Sequence, residues 1–313
     1  MYFFDFMKNL VRKKNICVMI YMIMNVYFIS GFLDSTLYMM NYDPDAKASP
    51  ALYPISFAVS IGLYAVSLMI ALSPVGEAML RFYSRCKKIR RVDQRNYLEP
   101  LFREVYGQAK KEAPELSDKI RLYISPDADA NAFAIGRNTI CVTEGLLSCD
   151  PETIKAILAH EFGHLVHHDT DQQLAVSVGN FILDIIFFLI KIFLMIFIFA
   201  LAGCSRRYYY YDDIDGSGAA LLAVICMWPM WLWTKIGMLF VRKSCRESEF
   251  EADAFSCRLG YGFALCRFLD THPEPKLHGM IAALESTHPA VSDRIGRMQE
   301  MGVEYYVDYG AQI

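Results

Sequence analysis

The sequence predicts a mostly α-helical chain with a small β-sheet, crossing a membrane four times. Three observations predict this. Four apolar stretches, Ile16 to Leu33, Ala51 to Leu72, Val176 to Ala202 and Ala219 to Phe240, are each long enough to span a hydrocarbon core, which takes roughly 20 residues. The segments outside them carry helical periodicity. One short region between the second and third stretches alternates apolar and polar residues as strands do.

Charge orients these spans. Residues 1–15 hold Lys8, Arg12, Lys13 and Lys14, an inner-side signature. Residues 34–50 hold Asp34, Asp43 and Asp45 against Lys47 and read as an outer loop. The segment 74–175 opens with Arg81, Arg85, Lys87, Lys88, Arg90, Arg91 and Arg95, again the inner side. Alternation puts 203–218, with Arg206 and Arg207 against Asp212, Asp213 and Asp215, outside. Arg242, Lys243 and Arg246 return 241–313 to the inside. The layout is therefore spans at 16–33, 51–73, 176–202 and 219–240, with 74–175 and 241–313 meeting on one cytoplasmic face. A cleaved signal peptide is the alternative for the first stretch, but Ser30-Gly31-Phe32-Leu33 is a poor cleavage site. Asp184 and Lys191 in the third span read as a structural pair or a snorkelling lysine.

Within 74–175, residues 94–115 repeat Tyr97, Leu98, Leu101, Phe102, Val105 and Tyr106 at helical spacing, a packing face. Ile120 to Ile124 reads as a strand. Asn131 to Ile135 and Thr139 to Thr143 flank Gly136-Arg137-Asn138, a hairpin turn. Ala132, Phe133, Ala134 and Ile135 are the candidate edge on which an extended peptide could pair its backbone; an ordinary core strand is the alternative.

A helix then starts at Asp150, an N-cap, with Pro151 in its first turn. It carries His160-Glu161-Phe162-Gly163-His164, which reads HExxH. One turn apart on a helix, His160 and His164 share a face and can bind one metal ion, with Glu161 beside them as a base. Zinc suits this set, because it takes nitrogen and oxygen ligands and leaves a fourth position open. A third ligand is available in Glu247-Ser248-Glu249-Phe250-Glu251-Ala252-Asp253. Glu249 and Asp253 share one helix face, so one can ligate and the other can orient a liganding histidine. Glu247 and Glu251 are spaced identically, and spacing does not choose between the pairs.

Composition narrows the function classes. A net charge of −3 excludes the basic excess that a nucleic-acid partner usually brings. Nine cysteines without a CxxC pair give no disulfide framework and fit a reducing compartment.

Taken together, His160-Glu161-Phe162-Gly163-His164, His167-His168-Asp169-Thr170 and Glu249-Phe250-Glu251-Ala252-Asp253-Ala254 resemble the HtpX and CAAX-prenyl-protease family of membrane zinc endopeptidases. Asn131-Ala132-Phe133-Ala134, Ile140 to Leu147, and Ser286-Thr287-His288-Pro289 followed by Asp293-Arg294-Ile295 match it further. The resemblance implies a zincin-like metalloprotease domain of the gluzincin type and one zinc per chain. It implies Glu249 as third ligand with Asp253 behind a histidine. It also implies Glu161 as general base, His288 and Asn131 as donors to the oxyanion, and Arg294 as an orienting group. The substrates implied are polypeptides, above all misfolded membrane proteins, and the setting is a lipid bilayer, the cell's inner membrane. A CAAX-type prenyl-protein protease is the alternative, although it would be expected to have more spans. A zinc-stabilised membrane scaffold would have no use for Glu161.

Overall fold

The computed structural model describes residues 2–12, 15–40, 52–180, 188–189, 192–193, 196, 246–272 and 289–307. A short helix, α1 (Tyr2–Leu10), precedes two long apolar ones, α2 (Ile16–Met40) and α3 (Leu52–Ala71). Windows Ile16–Asp34 and Pro54–Ala71 have mean hydropathies of 2.0 and 1.9, so both helices are long and apolar enough to cross a membrane. α2 continues past Leu33 into the segment that reads as an outer loop. Most of the third apolar stretch, 176–202, and all of the fourth, 219–240, lie outside the described residues.

α2 and α3 pack together, and their polar residues find one another. Asn25 Nδ2 donates to the Tyr64 hydroxyl at 3.1 Å and to Asn180 Oδ1 at 3.0 Å, and Ser67 Oγ donates to the Gly179 carbonyl at 2.7 Å. Pairing of this kind is needed where there is no water to satisfy a polar group. Phe6 and Leu10 of α1 are buried in the same cluster as Val18, Leu68 and Leu72. α1 is therefore folded against the adjoining ends of both long helices.

After α3, Ser73 caps α4 (Pro74–Tyr83), its hydroxyl accepting the Val75 N–H. α5 (Val92–Glu112) buries Leu98, Phe102 and Val105, on the face predicted for it. Three strands follow: β1 (Arg121–Ser125), β2 (Ala132–Ile135) and β3 (Thr139–Thr143), in the order β1-β3-β2. β3 pairs in parallel with β1 and antiparallel with β2, with Ala132 opposite Val142 and Ile135 opposite Thr139. The central strand is buried throughout and β2 forms one edge. Gly136 turns the β2–β3 hairpin with φ +57, a conformation open to glycine at no steric cost.

A 3₁₀ turn (Gly145–Ser148) leads to α6 (Pro151–His167). Asp150 Oδ1 accepts the Thr153 N–H at 3.1 Å, so the predicted cap is made. α6 is buried nearly all round, between α5, β2 and the later helix Gly262–Thr271, and so is the core of the domain. Phe162 fixes it to α5 through Phe102 and Tyr106, with ring centroids 5.6 Å away in each case. The sequence suggests that α6 runs on towards the membrane. Instead it ends at His168, which takes the left-handed conformation (φ 58), and α7 (Thr170–Ser177) starts afresh. Residues 246–258 form α8, Gly262–Thr271 α9 and Val291–Glu300 α10. Leu265, Cys266 and Met298 join the same core as Ile154, Leu158 and Phe162.

Candidate metal centre

α6 supplies two histidines and α8 faces them. The two helices approach closely because Gly163 lies against Ala252, where any side chain on Gly163 would collide with the backbone. One turn and more along the contact, Ser256 Oγ donates to the Ala156 carbonyl at 3.2 Å, so α8 runs past α6 in the opposite chain sense. This crossing brings Glu249 and Asp253 beside the histidines and leaves Glu247 exposed and Glu251 half-buried.

The result is a compact set of acceptors. His160 Nε2 and His164 Nε2 are 3.2 Å apart. Glu249 stands 3.4 Å from each of them, through Oε2 to His160 and through Oε1 to His164. The edges of a tetrahedron of ligands about 2.0–2.1 Å from a zinc ion are about 3.3–3.4 Å long. Each histidine nitrogen thus stands about one such edge from the other and from one oxygen of Glu249.

The far nitrogens explain why the near ones are acceptors. His160 Nδ1 is 2.9 Å from Asp253 Oδ1, and His164 Nδ1 is 3.5 Å from Asp169 Oδ2. A carboxylate there keeps the ring proton on Nδ1 and leaves the Nε2 lone pair pointing inwards. Two lone pairs and a carboxylate converging on one point repel one another unless a cation lies between them, so the donor set fits a divalent metal. Asp253 is itself clamped by Arg294, with Nε to Oδ2 at 2.8 Å and Nη2 to Oδ1 at 2.6 Å. Arg294 Nη1 also lies 3.3 Å from Glu249 Oε2.

Electrostatics agree with this geometry. Burial alone would lower both imidazoles. Asp253 and Glu249 around His160, and Asp169 and Glu249 around His164, reverse this and hold both above the ordinary histidine value. Burial would raise the Asp253 carboxyl, but Arg294 and His160 hold it below the usual carboxylate range. Glu161 behaves differently. Burial pushes its carboxyl up, against the pull of His164 and His160. A ligand atom from Glu161 lies within 4.8 Å of those from His160 and His164. Glu249 lies 3.4 Å from both imidazoles, and Glu161 lies beside the same nitrogens.

The edge strand reaches the same point. Thr143 N–H donates to the Asn131 carbonyl at 3.0 Å, which fixes the ladder. By the two-residue alternation of an antiparallel pair, Phe133 and Ile135 bond to β3, and the N–H and C=O groups of Ala132 and Ala134 face away from it. The Ala134 N–H helps to hold the Glu161 carboxylate down. Asn131 is exposed at the head of β2, where its Oδ1 accepts the Ala132 N–H at 2.8 Å. His288 lies outside the described residues, although Arg294, six residues on, is buried in the site. Asp169 is a participant that spacing does not reveal. It reaches His164 only because the chain turns back at His168.

A model of Peptidase family M48 matches residues 94–302, which include every one of these groups. A protein named Protease HtpX homolog from Syntrophotalea carbinolica is 30% identical over 210 residues, covering 58% of this chain and 70% of that one. Its namesake from Bifidobacterium longum is 28% identical over 238 residues, covering 65% and 70%. The crystal structure of S. mikatae Ste24p is similar at a TM-score of 0.38 and 17% identity, over 91% of this chain and 66% of that one.

Proposed function

Because the chain belongs to peptidase family M48 and is a membrane metalloprotease akin to its HtpX relatives, we propose that it is a zinc endopeptidase holding one zinc per chain. Its substrates in this reading are misfolded or damaged membrane proteins, cut at the cytoplasmic face of the cell's inner membrane by a chain of four spans. The substrate class is supported by the likeness to the HtpX group. The span count is supported by the apolar stretches of sequence and the two long apolar helices. The observation that carries the zinc reading is the convergence of His160, His164 and Glu249, whose facing atoms lie 3.2–3.4 Å apart.

When bound, zinc lowers the pKa of a water to about 7 and polarises the scissile carbonyl. His160 and His164 would hold the metal through Nε2 and Glu249 through its carboxylate. Asp253 and Asp169 fix the ring protons on Nδ1, and Arg294 fixes Asp253. Glu161, its carboxyl raised by burial, takes the proton of the attacking water and returns it to the leaving amine. An extended substrate pairs with the outward carbonyls of Ala132 and Ala134, beside Glu161. Asn131 and His288 are assigned to the oxyanion on their motif positions.

Glu161→Gln tests this reading. The purified full-length variant should keep one zinc by elemental analysis, and its cleavage of casein should fall by about 10²–10⁴. Cleavage at the native rate would remove Glu161 from the role of base.

A further inference from the structure

Two helices outside the metal centre each carry an exposed apolar stripe. On α4 it is Val75, Met79, Phe82 and Tyr83, with Phe82 88% and Tyr83 85% exposed. On and just after α1 it is Phe4, Met7 and Val11, with Phe4 60% exposed. Single exposed apolar residues are ordinary. Here each set falls within one stripe about 100° wide, the pattern of an amphipathic helix. The stripes are bordered by exposed cations: Lys8 and Arg12 at α1, and Arg85, Lys87, Lys88 and Arg90 after α4. Both helices also occupy the same place in the fold. α1 packs Phe6 and Leu10 into the cluster that holds Leu68, Ala71 and Leu72 at the end of α3, and α4 begins directly after that end.

We propose that α1 and α4 form an interfacial collar, with their apolar stripes in the headgroup–acyl boundary of the leaflet on the catalytic side and the flanking cations on anionic headgroups. The proposal rests on the membrane reading above. The bilayer is the occupant the features select. Each helix adjoins the same-side end of an apolar helix, and apolar stripe plus basic border is the chemistry of an interfacial helix. A lipid surface meets both helices at once with no further component.

The collar also has a grip on the substrate strand. Asp5 of α1 lies 3.2 Å from Arg137 in the β2–β3 turn, and the Arg137 guanidinium stacks 4.4 Å from the Tyr2 ring centroid. Arg137 is held on its other side by Asp171 of α7 at 2.6 Å. Glu77 of α4 accepts the Thr139 hydroxyl at 2.6 Å at the start of β3. The β2 edge is thereby held at a fixed height over the bilayer, which favours polypeptide leaving the membrane in extended form.

Photocrosslinking of the full-length chain tests the collar. Benzoylphenylalanine replaces Phe4, Phe82, Ile61 or Arg103, one at a time, in protein reconstituted into phosphatidylethanolamine–phosphatidylglycerol vesicles. Ile61 is an exposed residue of α3 and Arg103 an exposed residue of α5. The expected result is lipid adducts by mass spectrometry from positions 4, 61 and 82 and none from 103. Lipid adducts from 61 alone would overturn the collar and leave the membrane reading standing. A polypeptide adduct from position 82 would assign the stripe to a protein partner and also overturn it. Loss of adducts at 61 as well would remove the membrane reading, and the collar with it.

Discussion

Gly163 and Ala252 touch backbone to backbone: a Cβ built on Gly163 would stand 2.7 Å from the Ala252 Cα. Carbon atoms in favourable contact are about 3.5–4.0 Å apart. This one contact sets the distance between the helix that carries both imidazoles and the helix that carries Glu249. Gly163→Ala gains at most about 1 kcal/mol of helix propensity. Overpacking the crossing costs about 1–3 kcal/mol, so the variant should be less stable and bind zinc more weakly. Thermal unfolding with and without zinc measures both, and an unchanged affinity would show that the crossing yields without moving the site.

Asp253 acts on the metal at one remove. Asp253→Asn keeps the shape but weakens the hold on His160 Nδ1 and on Arg294. Losing a partner of this kind lowers metal affinity by about 10–100-fold. Competition with a chelator of known affinity reads this directly. An equal affinity for variant and parent would leave Asp253 with a purely structural role.

Metal loading should depend on pH in a defined sense. Both imidazoles, free of metal, are held above the ordinary histidine value of about 6.5. Each must lose its proton to ligate. Affinity is therefore full above the raised values and falls as pH drops through them, with a decline that starts at higher pH than for free imidazole. Once both rings are protonated the fall is about a hundredfold per pH unit. Zinc titrations across this range give the onset, and an onset below the free-imidazole value would contradict the carboxylate contacts.

At Ala134 the backbone itself is the working part. Proline is tolerated at an outward-facing position of an edge strand, and here it removes the N–H that bonds to the Glu161 carboxylate. Ala134→Pro should leave zinc content unchanged. It should cost about one hydrogen bond to Glu161, about 1 kcal/mol or roughly fivefold in kcat/KM. Steady-state kinetics on an extended peptide decide this, and an unchanged kcat/KM would show that this bond does not tune Glu161.

Much of the centre is legible in the amino-acid sequence because its determinants are local. The cap Asp150, the spacing of His160 and His164, and the glycine-bearing turn between β2 and β3 all act within a few residues. The third ligand is different. Glu247/Glu251 and Glu249/Asp253 are equivalent by spacing, and what separates them is which face of α8 meets α6. That face is Glu249, Ala252, Asp253 and Ser256, all buried, and its small residues permit the close crossing. Asp169 is not legible in the same way, because its position depends on the backbone reversal at His168. Nor is the helical form of α1, whose anchors Phe6 and Leu10 are buried by contacts with α2 and α3, far from it in sequence or beyond a turn.

Arg294 holds Asp253 and Glu249 from a helix far along the chain. During synthesis both imidazoles are made well before Glu249, and Glu249 well before Arg294. A ribosome-bound polypeptide that stops short of α8 owns the base and two ligands but has no third corner for the ion. Such a fragment, purified and dialysed, should retain no zinc by elemental analysis. In the proposed reading the nascent chain is in this way latent until Glu249 on α8 has emerged.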